Sequence, residues 1–314
     1  MTLEQLRIFV AVAEREHVTR ASAALNLTQS AVSAAIQTLE GRFQVKLFHR
    51  VGRNITLSEA GRVFLDEARA VLARAAAAER ALVDLSGLKR GRLVIAASQT
   101  IAVHWLPRHL ARFRAAWPEI ALSITIGNTA QVAHAVREGE AELGFVEGQG
   151  EAPMLAARPV AEDRLVLIAP PGHPWALSGA EPSAAALAAE NWVMREPGSG
   201  TRAVLEAALR ARGMAPEALR VVLELPANEA VRVAVAAGAG VSALSEYVIT
   251  EALAAGRVLR VPLALPARHF RVLWHRERHR GHAATALLDL IAAETSAAHG
   301  GRVGDGDRPY DKET

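Results

Sequence analysis

An uninterrupted heptad pattern of apolar residues divides the chain into two parts. Its members step alternately by four and three positions and are Phe64, Ala68, Val71, Ala75, Ala78, Leu82 and Leu85. The pattern predicts one helix that begins after its N-cap, Ser58, and runs to Ser86, where Gly87 ends it. Such a helix spans about 40 Å, which is longer than a small domain can cover. A dimerising linker helix is therefore favoured over an amphipathic helix on a single globular core.

Three short helices and a small hairpin are predicted before this linker. The first helix follows from the helical spacing of Leu3, Leu6, Phe9, Val10 and Ala13. The second is predicted from Thr19, as N-cap, to Ala24, and the third from Gln29 to Gly41 with Thr28 as N-cap. Because only a short turn at Leu25-Asn26-Leu27 joins these two, the pattern indicates a helix-turn-helix.

The third helix is the candidate recognition helix. Its N-terminal end and outer face carry short hydrogen-bonding side chains, namely Thr28, Gln29, Ser30, Ser33 and Gln37. Such groups suit base edges and phosphates in a DNA major groove. The alternative is an ordinary solvated helix face.

A basic hairpin after the third helix favours the DNA interpretation. The segments 46–50 and 53–57 flank Val51-Gly52 and predict a wing with His49, Arg50 and Arg53 at its tip. Residues 1–90 carry 13 lysines and arginines against 9 acidic residues, whereas residues 91–295 carry 20 of each. The positive charge therefore lies in the N-terminal part, as expected of a nucleic-acid-binding module.

Beyond Gly91 the pattern changes to alternating strands and helices, which predicts mostly parallel sheets covered by helices. About 200 residues of this pattern suffice for two α/β lobes. The strands are predicted at 93–97, 122–126, 143–146, 165–169, 192–195, 221–225, 241–244, 258–261 and 270–274. A helix is predicted from Ile101 to Trp117. The fold class is thus an all-α winged helix-turn-helix domain with a long linker helix, followed by a two-lobed α/β domain.

Polar residues follow several of these strands where helices begin. They are Ser98 and Thr100, Asn128 and Thr129, Ser199 and Thr201, and Asn228. Ligands of open α/β sheets bind at the carboxyl ends of strands, and helix N-termini attract anions. A shared crevice would make these turns a binding site for a small anion, while the alternative is that each residue only caps its own helix.

Several other function classes are disfavoured. The chain has no cysteine, which excludes disulfides, thiolate metal sites and a cysteine nucleophile, and it has no phosphate-binding loop, nucleophile elbow or H-E-x-x-H motif. Gly238 to Ala243 matches G-x-G-x-x-A but follows a helix, so we interpret it as a helix stop. His275, His279 and His282 lie among arginines that would oppose a bound cation. We expect no enzyme, cofactor, metal or membrane span, and a soluble cytoplasmic protein.

Two segments carry a family resemblance. The run RASAALNLTQSAVSAAIQTLE from Arg20 to Glu40, followed by LFHRVGRNITLSEAG from Leu47 to Gly61, resembles the DNA-binding domain of LysR-type transcriptional regulators. PPGHP at Pro170 to Pro174 and the two-lobed pattern resemble the effector-binding domain of that family, which has the fold of type 2 periplasmic binding proteins. The chain departs from many members at Ser30, where they have proline, and at Ala34, where they have a longer polar residue.

The resemblance divides the chain as follows. It implies a DNA-binding domain at 1–57, a linker helix at 58–88 and an effector domain at 91–295. Lobe I would comprise 91–162 and 266–295, and lobe II 163–265. The glycine-rich, charged stretch 296–314 is expected to be disordered.

Four further segments resemble the CysL-like branch, which regulates sulfur and sulfite metabolism. They are SQTIAVHWLPRHLARFR, IGNTAQVAHAV, GFVEG and REPGSGTR. The resemblance implies an effector such as sulfite between the lobes and adds Glu147, Arg195 and Arg202 to the site. Because Glu147 would repel an anion, the site requires a protonated ligand or a neutralising Arg195 or Arg202.

The resulting hypothesis is a transcriptional regulator whose DNA contacts are changed by a small effector, with no catalysis. The family resemblance implies double-stranded promoter DNA and a homo-oligomer, a dimer of dimers (homotetramer), as partners, and RNA polymerase is a further partner compatible with this role. The alternative is an enzyme or solute-binding protein with an accessory DNA-binding domain. The sequence leaves open the effector, the target genes and the sign of regulation.

Overall fold

The computed structural model describes residues 1–51, 54–85, 91–148 and 153–300. The chain divides into two compact units, an N-terminal unit that ends at Gly87 and a C-terminal unit that makes up most of the remainder. The division of the chain into finer segments, with the bounds given above, stays a prediction.

The N-terminal unit contains the predicted three short helices, hairpin and long helix. Its elements are α1 (Leu3–Arg15), α2 (Val18–Leu25), α3 (Gln29–Phe43), β1 (Phe48–Val51), β2 (Asn54–Leu57) and α4 (Glu59–Leu85). Ser58 is the N-cap of α4, as predicted, because its hydroxyl accepts a hydrogen bond from the backbone N–H of Gly61 at 2.9 Å. Phe9 is fully buried in the core of this unit, and its ring lies 4.8 Å from Phe64 and 5.4 Å from Phe48.

The predicted start of α2 is wrong by two residues. Glu16 has a positive φ of 46°, which ends α1 and reverses the chain early. His17 is therefore the N-cap of α2, and Thr19 lies inside the first turn of the helix.

The C-terminal unit alternates strands and helices as predicted. Its strands are β3 (Gly91–Ser98), β4 (Ile120–Gly127), β5 (Leu143–Glu147), β6 (Leu155–Ala169), β7 (Asn191–Arg195), β8 (Arg220–Leu225), β9 (Ser242–Ser245), β10 (Leu259–Arg260) and β11 (Ala267–His275). Its α-helices are α5 (Leu106–Ala116), α6 (Thr129–Glu138), α7 (Pro174–Ser178), α8 (Ala184–Ala189), α9 (Gly200–Ala211), α10 (Asn228–Ala236), α11 (Glu246–Ala254) and α12 (His282–Gly300). The helix predicted from Ile101 begins as a π-helical turn, Ile101–Trp105, before α5.

Two lobes follow from the sheet topology. In the first lobe β3 pairs in parallel with β4 and β5, and the sheet lies between α5 and α12 on one face and α6 on the other. In the second lobe β7 and β8 are parallel, β9 and β10 pair with the end of β6, and α8 to α11 cover the strands. The long strands β6 and β11 run antiparallel to each other and connect the two lobes.

The expectation of mostly parallel sheets is therefore wrong. The pairings of β11 with β5 and β6, and of β6 with β9 and β10, are all antiparallel. The first half of β6 was also missed, because its run of exposed residues from Ala157 to Pro159 hides the apolar signal of a strand.

The predicted disorder of 296–314 is wrong at its start, since α12 continues to Gly300. The rest of that segment, 301–314, lies outside the described residues.

The helix stop predicted at Gly238 is confirmed: it follows α10 with a φ of 87°, a left-handed conformation that glycine adopts without strain.

Candidate functional site

The turn between α2 and α3 has the geometry of a helix-turn-helix. Asn26 ends α2 in the left-handed conformation, with a φ of 54°. The N–H of Leu27 then donates to the carbonyl of Ser22 at 2.9 Å, which closes the C-terminal end of α2. Thr28 starts α3 as predicted, because its hydroxyl accepts from the N–H of Ala31 at 3.2 Å.

The polar residues predicted for DNA contact lie at the start and on one side of α3. Ser30, Ser33 and Gln37 follow the spacing of a single helix face. Ser30 and Gln37 are exposed and Ser33 is half-buried. Thr28 and Gln29 are exposed at the N-terminal end of α3, where the hydroxyl of Thr28 lies 3.0 Å from that of Ser30. These hydrogen-bonding groups are thus presented on an accessible helix end.

The predicted wing is present as the antiparallel pair of β1 and β2, with His49 opposite Thr56. His49 is exposed. Arg50 lies in β1 and its side chain is not described, and Arg53 lies outside the described residues. Their contact with DNA stays a prediction.

Glu40 is a residue of this unit that the sequence interpretation missed. Its buried carboxylate accepts hydrogen bonds from the N–H of Leu47 at 2.8 Å and from that of Phe48 at 3.3 Å, and Lys46 Nζ lies 2.8 Å away. Burial acts to raise the pKa of Glu40, but the hydrogen bonds from Lys46 and the two N–H groups outweigh it and lower the pKa. Glu40 therefore ties the last turns of α3 to the start of the wing.

In the C-terminal unit, the predicted effector residues lie at the carboxyl ends of strands. Ser98 ends β3, Asn128 follows β4, and Glu147 ends β5 in the first lobe. In the second lobe Arg195 ends β7 and Asn228 follows β8. Such strand ends form the usual ligand-binding edge of α/β sheets.

A continuous chain of hydrogen bonds joins these strand ends across the two lobes. Thr100 Oγ1 accepts from the side-chain amide of Asn228 at 3.0 Å, and Asn228 Oδ1 accepts from the guanidinium of Arg195. Arg195 also makes a two-point ion pair with Glu196, at 2.7 and 2.9 Å. Glu196 in turn accepts from the side-chain amide of Asn128 at 3.2 Å. Residues from three of the four predicted polar turns, Thr100, Asn128 and Asn228, are thus joined through Arg195 and Glu196.

Glu196 is charged in this arrangement. Burial acts to raise the pKa of its carboxyl, but the hydrogen bonds and positive charge of Arg195 and the hydrogen bond from Asn128 hold the pKa below its ordinary value. The positive charge of Arg195 is therefore balanced by Glu196. Arg195 can orient neighbouring side chains or a ligand by hydrogen bonding as well as attract an anion.

The neighbouring groups of the first lobe retain hydrogen-bonding capacity. The Ser98 hydroxyl is buried and has no hydrogen-bond partner among the described residues. Glu147 is also buried, at 3% exposure, and no arginine or lysine of the described chain forms a salt bridge with it. Neither Arg195 nor Arg202 neutralises Glu147, so this part of the cleft offers both a hydroxyl and an acceptor carboxylate.

The start of α9 packs against this part of the first lobe. A Cβ atom at Gly200 would lie 2.5 Å from both the carbonyl oxygen of Glu147 and the hydroxyl of Thr129. Only glycine fits at that distance. The hydroxyl of Thr129 itself lies 3.4 Å from the Glu147 carbonyl.

Three other predicted residues are engaged within the second lobe or with β11. Ser199 caps α9 through the N–H of Arg202, at 3.5 Å. The guanidinium of Arg202 binds Glu206 at 2.7 Å and Glu224 at 2.6 Å. Thr201 accepts a hydrogen bond from Arg268 at 3.2 Å. The structure therefore directs the Arg202 side chain to these two glutamates.

The sequence interpretation left Gln99 out of the site. Its side chain lies between the lobes, accepts from the N–H of Asn228 at 3.0 Å and donates to the carbonyl of Pro226. Its position between Ser98 and Thr100 was the available signal, but glutamine is common on exposed turns and gave no reason to single it out.

The described residues contain no group of three or more histidine, cysteine or carboxylate side chains placed to hold a metal ion. None of their helices has the length and hydropathy needed to cross a membrane.

The chain matches two family models. Residues 3–62 match the bacterial regulatory helix-turn-helix protein of the lysR family, and residues 86–296 match the LysR substrate binding domain. Together with the fold, these matches define a transcriptional regulator with a helix-turn-helix domain and a two-lobed ligand-binding domain. The chain belongs to the LysR family of transcriptional regulators.

Relatives extend over nearly the whole chain. The transcriptional regulator YeiE of Escherichia coli strain K12 is 37% identical over 292 residues, which cover 92% of this chain and 96% of YeiE. CysL of Bacillus subtilis is 34% identical over 253 residues, covering 81% of this chain and 83% of CysL. These relatives are named as transcriptional regulators and not as enzymes, which confirms the non-enzymatic prediction.

Solved structures show the same fold. The regulatory domain of Synechocystis PCC6803 CcmR, in complex with 2-PG, has a TM-score of 0.60 and 30% identity, covering 66% of this chain and 98% of CcmR. Full-length CbnR, complexed with its target DNA, has a TM-score of 0.66 and 20% identity, covering 95% of this chain and all of CbnR.

Proposed function

We propose that this regulator responds to a small sulfur oxyanion that carries its own proton, with hydrogen sulfite as the leading candidate. The ligand would bind in the cleft between the lobes, at Ser98, Thr100, Asn128, Thr129, Glu147, Arg195, Ser199, Thr201 and Asn228. Arg202 is left out of the proposed site, because its guanidinium binds Glu206 and Glu224. The connection of three of the four polar turns through Arg195 and Glu196 is the observation that carries this proposal. The likeness to CysL, at 34% identity, supports a sulfur metabolite, and the CcmR complex with 2-PG supports a small-molecule ligand in this kind of domain.

Glu147 is the reason for choosing a protonated anion. It is buried and lacks a cationic partner within the described residues. A bare dianion such as sulfate would meet a like charge in a desolvated site, which is strongly unfavourable. Hydrogen sulfite can donate a hydrogen bond to the Glu147 carboxylate while its oxygens accept from the Ser98 and Thr100 hydroxyls. Arg195, at 4% exposure, is connected to Thr100 through Asn228, and its charge is balanced by Glu196.

A calorimetric comparison of sulfite, sulfate, thiosulfate and O-acetylserine tests the proposal. We expect sulfite to bind best and its affinity to fall as the pH rises from about 6 to about 8, because the protonated form is depleted. The Glu147→Gln variant should lose that preference and bind sulfate better, since an amide can donate to an unprotonated oxygen. Tight sulfate binding by the unchanged protein, or no binding of any of the four compounds, would contradict the ligand assignment and leave the family membership unaffected.

We also propose that the DNA-binding unit uses Thr28, Gln29, Ser30, Ser33 and Gln37 in the major groove and Arg50 and Arg53 on the backbone. Exposure of the residues at the start of α3 supports this assignment. Bidentate or short polar side chains distinguish bases, whereas arginines on a wing supply contacts with phosphates. Gel-shift titration of variants against promoter DNA tests it.

A homotetramer assembled as a dimer of dimers is the oligomer we propose, with α4 as one interface. In the single chain the seam residues Val71 and Leu82 of α4 are 41% and 69% exposed. Apolar side chains repeated at heptad spacing are buried when two such helices pair. Light scattering on the full chain tests this assembly.

A further inference from the structure

We propose that Gln99 and Gly198 are reciprocal helix caps between the lobes, and that together they hold the cleft closed without an effector. Gln99 belongs to the first lobe and caps a helix of the second. Gly198 belongs to the second lobe and caps a helix of the first. The inference concerns the ligand-free protein and does not depend on which effector binds.

The N-terminus of α10 has no side-chain cap of its own. Its N-cap residue is Ala227, which has no side-chain acceptor for the first free N–H groups of the helix. Gln99 provides the missing acceptor: its Oε1 accepts from the N–H of Asn228 at 3.0 Å, and its amide donates to the carbonyl of Pro226. The second lobe therefore completes this helix end with a side chain of the first lobe.

The N-terminus of α6 receives the opposite cap. Asn128 and Gln131 satisfy each other locally, since each side-chain oxygen accepts the other residue's backbone N–H, at 2.9 and 3.0 Å. The N–H of Ala130 instead donates to the carbonyl of Gly198 at 3.2 Å. This helix end of the first lobe is thus completed by the backbone of the second lobe.

Gly198 is suited to that contact by lacking a side chain. Its φ is 88°, and a Cβ atom there would lie 3.2 Å from both the Cβ of Ala130 and the side-chain amide nitrogen of Asn128. A side chain would be strained and would crowd α6. The carbonyl can therefore approach the helix end closely.

Both caps are made or broken by the same movement of the lobes. Opening the cleft would remove an acceptor from α10 and another from α6 at once, so each cap favours the closed cleft and thereby the other cap. An effector that prefers the closed cleft then shifts an equilibrium that already includes that state, and shifts it only by its differential affinity. Gln99 acts in this scheme as a positioning residue.

Residue-resolved hydrogen exchange on the ligand-free, full-length protein tests the inference. The variant Gln99→Met keeps the side-chain length and removes both hydrogen bonds, and Gln99→Ala serves as a second variant. We expect exchange to rise about twofold to tenfold at Asn228, and by a similar factor at Ala130 in the other lobe, as expected for the loss of a hydrogen bond. Melting curves check that each variant remains folded.

The response at Ala130 separates a closure device from a simple helix cap, because the N–H of Ala130 is capped by the Gly198 carbonyl and not by Gln99. The control Gln131→Ala removes a cap within one lobe, on the N–H of Asn128. It should leave Asn228 unchanged. Faster exchange at Asn228 alone in the Gln99 variants, or unchanged exchange at both sites, would overturn the proposal.

Discussion

The side-chain amide of Asn228 donates a hydrogen bond to the Thr100 hydroxyl over 3.0 Å, and the two residues belong to different lobes. Both are buried, Thr100 completely. Because a hydroxyl has one proton of its own, Thr100 can accept from Asn228 and still donate to a ligand. One residue thus serves the contact between lobes and the proposed effector site together.

Replacing Thr100 with valine should weaken the effector response. The change preserves shape and removes the hydroxyl, so we expect a few-fold to about hundredfold loss of sulfite affinity, from about 0.5 to 3 kcal/mol. Calorimetric titration measures this loss, and Thr125→Val, at an exposed position of β4, is the matched control. DNA affinity without ligand should stay nearly unchanged. A lower melting temperature with unaltered sulfite affinity would reduce Thr100 to a structural role.

Variants of the DNA-binding unit should divide into two groups. Gln29→Ala and Ser33→Ala should reduce discrimination among DNA sites, because these side chains are proposed to read bases. Arg50→Ala and Arg53→Ala should weaken binding to all sequences and reduce its salt dependence by about one ion per arginine. Gel-shift titrations at two salt concentrations distinguish the groups, with Arg7→Ala, an exposed arginine of α1 near Glu4, as control. Wild-type behaviour of all four variants would place the DNA contacts elsewhere.

The order of elements could be predicted from the sequence because the apolar spacing is strong at Leu3, Leu6 and Phe9 in α1, and in the short apolar strands. The antiparallel strands β6 and β11 could not, because their pairing joins residues about 100 positions apart, such as Asp163 and Arg268. The polar turns were identified from local N-cap patterns at Thr129, Ser199 and Asn228. Their convergence, and the part of Gln99 in it, depends on how the lobes close, which no local pattern records.

Glu40 should make the N-terminal unit sensitive to acid. Its pKa in the folded protein lies below the ordinary value of 4.5, so the carboxylate stabilises the fold above that pH. The contribution is lost as the pH falls through the lowered value, because protonation then occurs more readily in the unfolded chain. Glu40→Gln should cost about 1 to 3 kcal/mol at neutral pH and flatten the acid limb of the stability profile. Denaturant titrations of both proteins across that pH range measure the difference, and parallel acid limbs would show that Glu40 does not cause the sensitivity.

Leu82→Asp should weaken the proposed oligomer. In a paired heptad seam the new carboxylate would be buried without a partner, at a cost of several kcal/mol while it stays ionised. Val63→Asp introduces the same charge at a similarly exposed position of α4, 64% against 69%, outside the seam, and should leave assembly intact. Light scattering compares the two. A folded Leu82→Asp protein of unchanged mass would exclude α4 as a principal interface.

The ion pair of Asp163 and Arg268 should stabilise the pairing of β6 with β11, the strands that connect the lobes. The two side chains are 0% and 2% exposed, with Arg268 nitrogens 2.6 and 2.7 Å from one carboxylate oxygen, and Ser245 donates to the other at 2.7 Å. Asp163→Asn leaves the arginine without its counter-charge, so we expect a loss of about 3 to 5 kcal/mol. The double variant Asp163→Leu with Arg268→Met removes both charges and should be less destabilised than either single change, although Thr201 and Ser245 each lose a partner. Denaturant midpoints with equal slopes measure Asp163→Asn, the single changes Asp163→Leu and Arg268→Met, and the double variant. A double variant as unstable as the sum of the single changes would mean that the hydrogen bonds to Thr201 and Ser245, and not the pairing of charge, dominate at this position.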